Sequence, residues 1–192
     1  MESRILLLGP VGAGKTTAIR AISDIEAVDT DVRPSDDVAL LKSTTTVAMD
    51  LGVVRLDEQD RIVLYGAPGQ ERFDFMWEIL LDQCEGVLLL VDHSAADPVA
   101  DLARYYDLLM RPGQKRRPLL VGVTHFDDAS DRNLARYDAV FKRARTACGC
   151  LSCTPPVQAL DARASEDVRA LLIALAAMLE VQQRFRNRTC LS

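Results

Sequence analysis

The chain has 192 residues, 48% of them hydrophobic and 27% charged, which suits one globular domain with a full core over residues 1–192. A net charge of −5 offers no pervasive basic field, so nucleic-acid binding is not expected, and no apolar run reaches the length of a membrane span. Five cysteines, an odd number, and opening residues Met1-Glu2-Ser3-Arg4 that lead into the first strand without a signal peptide predict a reduced, cytoplasmic setting.

Apolar runs alternate with segments of helical period, the pattern of an α/β domain with a mostly parallel sheet. Arg4-Ile5-Leu6-Leu7-Leu8 predicts a buried strand over 4–9. It runs into Gly9-Pro10-Val11-Gly12-Ala13-Gly14-Lys15-Thr16, a complete phosphate-binding loop, and then into a helix carrying Ile19 and Ile22 and ending near Asp24. Gly9 and Gly14 let the backbone curl so that successive N–H groups face one anion, and the positive end of the helix adds to that field. Lys15 would reach the outer phosphates and Thr16 would offer its hydroxyl to Mg²⁺, with Gly12, Ala13 and Thr17 completing the nucleotide-binding positions. Strand, glycine-rich turn and helix in that order imply a nucleoside triphosphate.

Residues 25–43 are acidic, contain Pro34 and show no clean period, which marks a long functional loop. A hairpin follows, with strands over 47–56 and 61–65 joined by Asp57-Glu58-Gln59-Asp60, and supplies one antiparallel edge strand. Gly86-Val87-Leu88-Leu89-Leu90-Val91-Asp92 and Pro118-Leu119-Leu120-Val121-Gly122-Val123-Thr124 read as central strands, and Val157-Gln158-Ala159-Leu160 as the last of six. Helices are predicted over 70–84, 97–111, 131–147 and 165–184, the last with a broad stripe through Val168, Leu171, Leu172, Leu175 and Leu179. The basic runs Lys115-Arg116-Arg117 and Arg184, Arg186, Arg188 read as solvated surface. Cys148, Cys150 and Cys153, with Cys190 as a fourth, would be the ligands of a zinc site, but no histidine or second paired ligand set accompanies them. A reduced cysteine-rich loop is the preferred reading. Glu2 excludes N-myristoylation, and Cys190-Leu191-Ser192 is one residue short of a prenylation box, so no direct membrane anchor is expected.

Four further segments fall at strand ends, where an open α/β sheet binds ligands. They are Thr44-Thr45-Thr46, Gly66-Ala67-Pro68-Gly69-Gln70-Glu71-Arg72-Phe73, Thr124-His125-Phe126-Asp127 and Ala159-Leu160-Asp161-Ala162-Arg163. With the phosphate loop they resemble the Ras-like small GTPases over nearly the whole chain, in particular the bacterial branch of gliding-polarity and conservon-type GTPases. The resemblance implies a three-layer α/β/α P-loop NTPase fold and a GTP/GDP switch with Mg²⁺ as cofactor. Thr46, with Thr45 next, would sense the γ-phosphate and Mg²⁺, and Arg33 is a candidate arginine finger in cis. Gly69 would donate its N–H to the γ-phosphate, and Gln70 would orient the attacking water. Thr124, His125 and Asp127 stand where the family has Asn-Lys-x-Asp. Asp127 would accept from guanine N1 and N2, bonds that adenine cannot supply, and the N–H of Ala162 would meet guanine O6.

This chain departs from the family at Gly66, where a carboxylate usually supports Mg²⁺ through water. Weak metal affinity, or a substitute ligand such as Asp50 or Asp92, is expected, together with slow unassisted hydrolysis. His125 replaces a lysine whose stem covers the base. Phe73, Met76 and Trp77 are not expected all to face inward with Leu80 and Leu81, which predicts an exposed aromatic patch for a protein partner. The resemblance implies a roadblock-type regulatory partner. Two other readings stand beside the switch: a nucleotide-sensing module with little hydrolysis, and an ATP-binding P-loop kinase or ATPase, which would need an arginine-rich lid.

Overall fold

The computed structural model describes residues 2–25, 49–57, 60–70, 74–127, 129, 131–142 and 154–184. Its strands are β1 (Glu2–Leu8), β2 (Asp50–Arg55), β3 (Arg61–Gly66), β4 (Gly86–Asp92), β5 (Leu119–Thr124) and β6 (Val157–Ala159). They form one sheet in the order β2-β3-β1-β4-β5-β6. Every pairing is parallel except β2 with β3, so the antiparallel edge strand expected from the hairpin is present. Among the described residues the α-helices are α1 (Lys15–Ile22), α2 (Asp74–Gln83), α3 (Pro98–Leu109) and α4 (Ser165–Arg184).

The central strands are apolar at nearly every position because both faces of the sheet are covered. The period of two still sorts them. Leu6, Leu8, Leu89, Val91 and Val121 pack with Trp77, Leu80, Tyr105 and Phe141 on one face. Ile5, Leu7, Leu88, Leu90 and Leu120 pack with Ile19, Leu171 and Leu175 of α1 and α4 on the other. α3 begins sharply, since the Asp97 side chain accepts from the Ala100 N–H at 3.0 Å and Pro98 occupies the first turn. None of the helices among the described residues is long and apolar enough to cross a membrane.

Three expectations are corrected. Within the segment predicted as a helix over 131–147, Leu134–Phe141 is a 3₁₀ helix, capped by the Asn133 side chain, and residues 143–147 lie outside the described residues. Arg117 is not solvated surface but 6% exposed, and its guanidinium donates to the carbonyls of Cys84 (2.9 Å) and Lys115 (2.8 Å) and pairs with Asp82. A buried arginine is tolerated there because its donors are taken.

The third correction concerns Met76 and Trp77, expected in an exposed aromatic patch. Met76, Trp77, Leu80 and Leu81 are all buried, because the i, i+4 pairs 76/80 and 77/81 make a stripe two residues wide on α2. The Trp77 indole also has a polar partner inside, donating Nε1–H to the Pro68 carbonyl at 2.9 Å. Phe73 lies outside the described residues, as do Thr44 to Thr46, Arg33, Cys148, Cys150, Cys153 and Cys190. Trp77→Ala is expected to cost about 3–5 kcal/mol in urea denaturation, a large loss for one residue. An unchanged midpoint would place Trp77 outside the core.

Candidate functional site

The sheet brings its carboxyl edge to one place. Leu7 of β1 stands opposite Gly66 of β3, Asp92 of β4 opposite Thr124 of β5, and Val123 opposite Ala159 of β6. The segments that follow these ends therefore converge, although they are scattered along the chain.

The phosphate loop leaves β1 through Gly9, whose φ of 142° is open to glycine and where a Cβ would lie 2.1 Å from the Leu90 carbonyl oxygen. Gly14 caps α1 in the left-handed region at φ 86°, and turns the loop into the helix that begins with Lys15. Lys15 is buried, and its Nζ donates to the Gly9 and Pro10 carbonyls at 2.7 Å each. Burial pushes the Lys15 ammonium down to about 8, while the nearby Asp50 carboxylate acts in the opposite direction.

The loop after β5 is fastened to the loop after β1. Thr124 is buried, and its hydroxyl lies 3.2 Å from both the Ala13 and Val91 carbonyls, to which it donates. A Cβ on Gly14 would come within 3.0 Å of the Ala162 side chain. One cavity of about 150 Å³ follows, lined by Gly12, Gly14, Thr17, Thr124, His125, Asp127 and Ala162 among others. Asp127 is exposed, and among the described residues its carboxylate has no partner; only its backbone carbonyl is held, by Arg132. Arg163 is drawn back onto Asp161 and keeps that carboxyl below its usual range.

The turn after β3 lies against the phosphate loop. A Cβ on Gly69 would sit 2.5 Å from the Val11 amide nitrogen and 2.9 Å from the Lys15 Nζ, so this close approach requires glycine. Trp77 holds the Pro68 carbonyl and the Tyr105 hydroxyl meets that of Gly69 at 3.4 Å, the two rings lying 5.1 Å apart. Gln70 is exposed at the end of this turn. Thr16 donates its hydroxyl proton to the Asp50 carboxylate. Hydroxyl and carboxylate make an all-oxygen donor pair, the kind that suits Mg²⁺ alongside substrate phosphates. Among the described residues there is no cluster of three or more His, Cys, Asp or Glu that would hold a metal without a ligand.

Two supports of the loop after β5 escape sequence reasoning. His93 is buried, with Nε2 2.6 Å from the Asp131 carbonyl, Nδ1 2.6 Å from the Tyr137 hydroxyl, and the Phe126 ring 5.0 Å away. A carbonyl only accepts, so Nε2 carries a proton and the ring braces the loop from behind. Asp92 pairs with the His125 Nδ1 at 3.1 Å and also accepts from the Ser94 N–H and hydroxyl. The only sequence signal for either was a polar Asp92-His93 pair ending an apolar strand.

Residues 28–191 match the family described as "conserved hypothetical ATP binding protein". The chain belongs to that family. The match begins beyond Gly9–Thr16, so the phosphate loop is an independent observation. ADP-ribosylation factor-related protein 1 of Homo sapiens is 26% identical over 106 residues, 55% of this chain and 50% of that protein. The Rattus norvegicus protein is 27% identical over 100 residues, 52% of this chain and 47% of that one. The chain thus spans about half the length of the curated relatives it matches. The structure of the Arl6 BBS3 small GTPase from Trypanosoma brucei, which carries the nucleotide analogue GppNp, superposes with a TM-score of 0.68 at 17% identity, covering 95% of this chain and 99% of that one. The chain has the small-GTPase fold.

Proposed function

We propose that this chain is a guanine-nucleotide switch that hydrolyses GTP slowly to GDP and phosphate. The observation that carries this reading is the cavity joining Gly12, Gly14 and Thr17 of the phosphate loop to Thr124, His125, Asp127 and Ala162. The Asp127 carboxylate is available to two donors on one edge of guanine, and the Ala162 N–H is the proposed donor to O6. Lys15 and the amides of the phosphate loop take the β- and γ-phosphates. Thr16 and Thr46 are the proposed Mg²⁺ ligands, and bound Mg²⁺ would neutralise charge on those phosphates. The likeness to small GTPases supports the switch by analogy of fold.

Gln70 is the proposed water-orienting residue, with Arg33 a candidate for stabilising transition-state charge. Among the described residues none holds the Gln70 side chain, which supports slow turnover until a partner fixes it. The absence of a carboxylate at Gly66 and the Pro68-Gly69-Gln70 form of the turn support the narrower affinity to gliding-polarity and conservon-type GTPases. On that affinity the partner is a roadblock-type protein and the setting cytoplasmic. With Met76 and Trp77 buried, such a partner would read the exposed Gln70 at the end of the turn after β3.

Titration with GTP, GDP and ATP, with and without Mg²⁺, tests the reading. Guanine nucleotides should bind with clear preference. A preference for ATP would overturn the guanine assignment and favour an ATP-binding protein. In single-turnover hydrolysis with a stimulating partner present, Gln70→Leu should lose about 100-fold in rate, the effect of misplacing one reacting group. An unchanged rate there would leave a nucleotide-sensing module without Gln70 chemistry.

A further inference from the structure

α4 buries Val168, Leu171, Leu172, Leu175 and Leu179 in the core. A surface helix ordinarily turns polar residues outward on the side opposite such a stripe. Here the outward side is apolar as well. Ala170, Ile173, Ala177 and Val181 are all exposed, Ile173 at 59% and Val181 at 50%. Their spacing of three, four and four residues keeps them on one line along the helix. Glu166 extends that line at its N-terminal end and Arg184 at its C-terminal end, and both are exposed. A rise of about 1.5 Å per residue sets these two charges about 27 Å apart. The line is complementary to itself. Turned end for end about a two-fold axis at the level of Leu175, Glu166 meets Arg184 of the second copy. Arg169 comes level with Glu180 and Val181 of that copy, and Ile173 falls against its Ala177, large against small. Arg169 and Glu180 are exposed on the same flank of the line, and an antiparallel two-fold brings like flanks together. Paired in the same direction, Glu166 would meet Glu166 and Arg184 would meet Arg184, so the charges select the antiparallel arrangement.

We propose that the outward face of α4 is a self-association surface, through which two copies of this chain pair antiparallel into a weak dimer. Ile173 and Val181 supply the apolar area and the two alanines let the helices approach, while the exposed charges fix direction and add little affinity. One helix from each copy lies at the low end of interface sizes, so the pairing is reversible, with a dissociation constant on the order of 100 μM. α4 and α1 cover one face of the sheet, whereas the Gly69-Gln70 turn is held by Trp77 and Tyr105 on the other. Pairing through α4 therefore leaves that turn free for a different partner. α4 starts just after Ala162 at the ligand edge, so an antiparallel pair points its two ligand edges in opposite directions. The surface does not depend on which nucleotide the chain takes.

The test is sedimentation velocity of the full chain, in reducing buffer so that no disulfide contributes, from about 5 to 500 μM. The wild type should shift from monomer towards dimer across that range. Ile173→Glu should remain monomeric throughout, with an unchanged urea midpoint because Ile173 lies outside the core. Glu166→Arg and Arg184→Glu should each self-associate about 3- to 30-fold more weakly, since each sets like charges opposite one another twice. A one-to-one mixture of these two variants should pair as well as the wild type, because every crossed contact is then between opposite charges. A wild type that is monomeric at every concentration overturns the proposal and leaves the face to a different protein. Ile173→Glu dimerising like the wild type overturns it too, as does a mixture that pairs no better than its two components. If either charge variant gives no cooperative melt, the comparison of Ile173→Glu with the wild type decides alone.

Discussion

Asp127→Ala is expected to lower affinity for GTP and GDP by about 100- to 10,000-fold, two hydrogen bonds to a charged group being worth about 1.5–3 kcal/mol each. ATP binding should hold or improve, because adenine presents an acceptor where guanine presents its N1–H. The loop that carries Asp127 is held by contacts that do not involve its carboxylate. The Asp127 backbone carbonyl is held by Arg132, the loop before it is braced by His93 against Phe126 and Asp131, and Thr124 ties its start to Ala13. Truncating the carboxylate thus removes a contact and leaves the loop in place. Calorimetric titration of the variant with each nucleotide checks the result. Equal losses for GTP and ATP would mean that Asp127 supports the loop and does not read the base.

Lys15→Met should abolish measurable nucleotide binding while making the ligand-free protein more stable. The ammonium is buried and pushed down from 10.5 to about 8, first by desolvation. Keeping it charged at pH 7 costs up to about 3 kcal/mol, less what its two carbonyl bonds return. The sign follows from proton counting. Below about pH 8 both folded and unfolded chains hold this proton, and the whole cost is present. Between about 8 and 10.5 only the unfolded chain holds it, so stability from this group rises with pH in that window. Urea denaturation of wild type and Lys15→Met at pH 7 and in that window measures both the offset and the slope. A triphosphate restores the proton, so above pH 8 binding should take one up and affinity should fall by up to about tenfold per pH unit. Calorimetry in two buffers of different ionisation enthalpy reports the uptake. Lower stability for Lys15→Met at neutral pH would show that the carbonyl bonds outweigh desolvation.

The fold was legible where a signal is local or where burial is complete on both faces. β4 and β5 announced themselves as unbroken apolar runs, and the hairpin of β2 and β3 as two runs around a polar turn. Trp77 and Arg117 were misread for the same reason. Aromatic and charged side chains are placed inside or outside by whether a buried polar partner awaits them, and here those partners are the carbonyls of Pro68 and of Cys84 and Lys115. His93 was passed over because its role depends on Asp131 and Tyr137, some 40 residues away. The 3₁₀ helix at Leu134–Phe141 has the composition of an α-helix, and hydrogen-bond geometry, not residue choice, separates the two.

By itself the sequence determined the phosphate loop, since Gly9, Gly14 and Lys15 act through backbone dihedrals and one side chain within a few residues of each other. It also determined that further polar groups follow the strand ends. Only the tertiary structure decided which of these groups meet. Asp50 stands beside Thr16, 34 residues earlier in the chain, because β2 is antiparallel and offers its first residue to the edge where every parallel strand offers its last. Strand direction and register are properties of pairing, and they set Asp50 opposite Gly66 on one rung of the sheet.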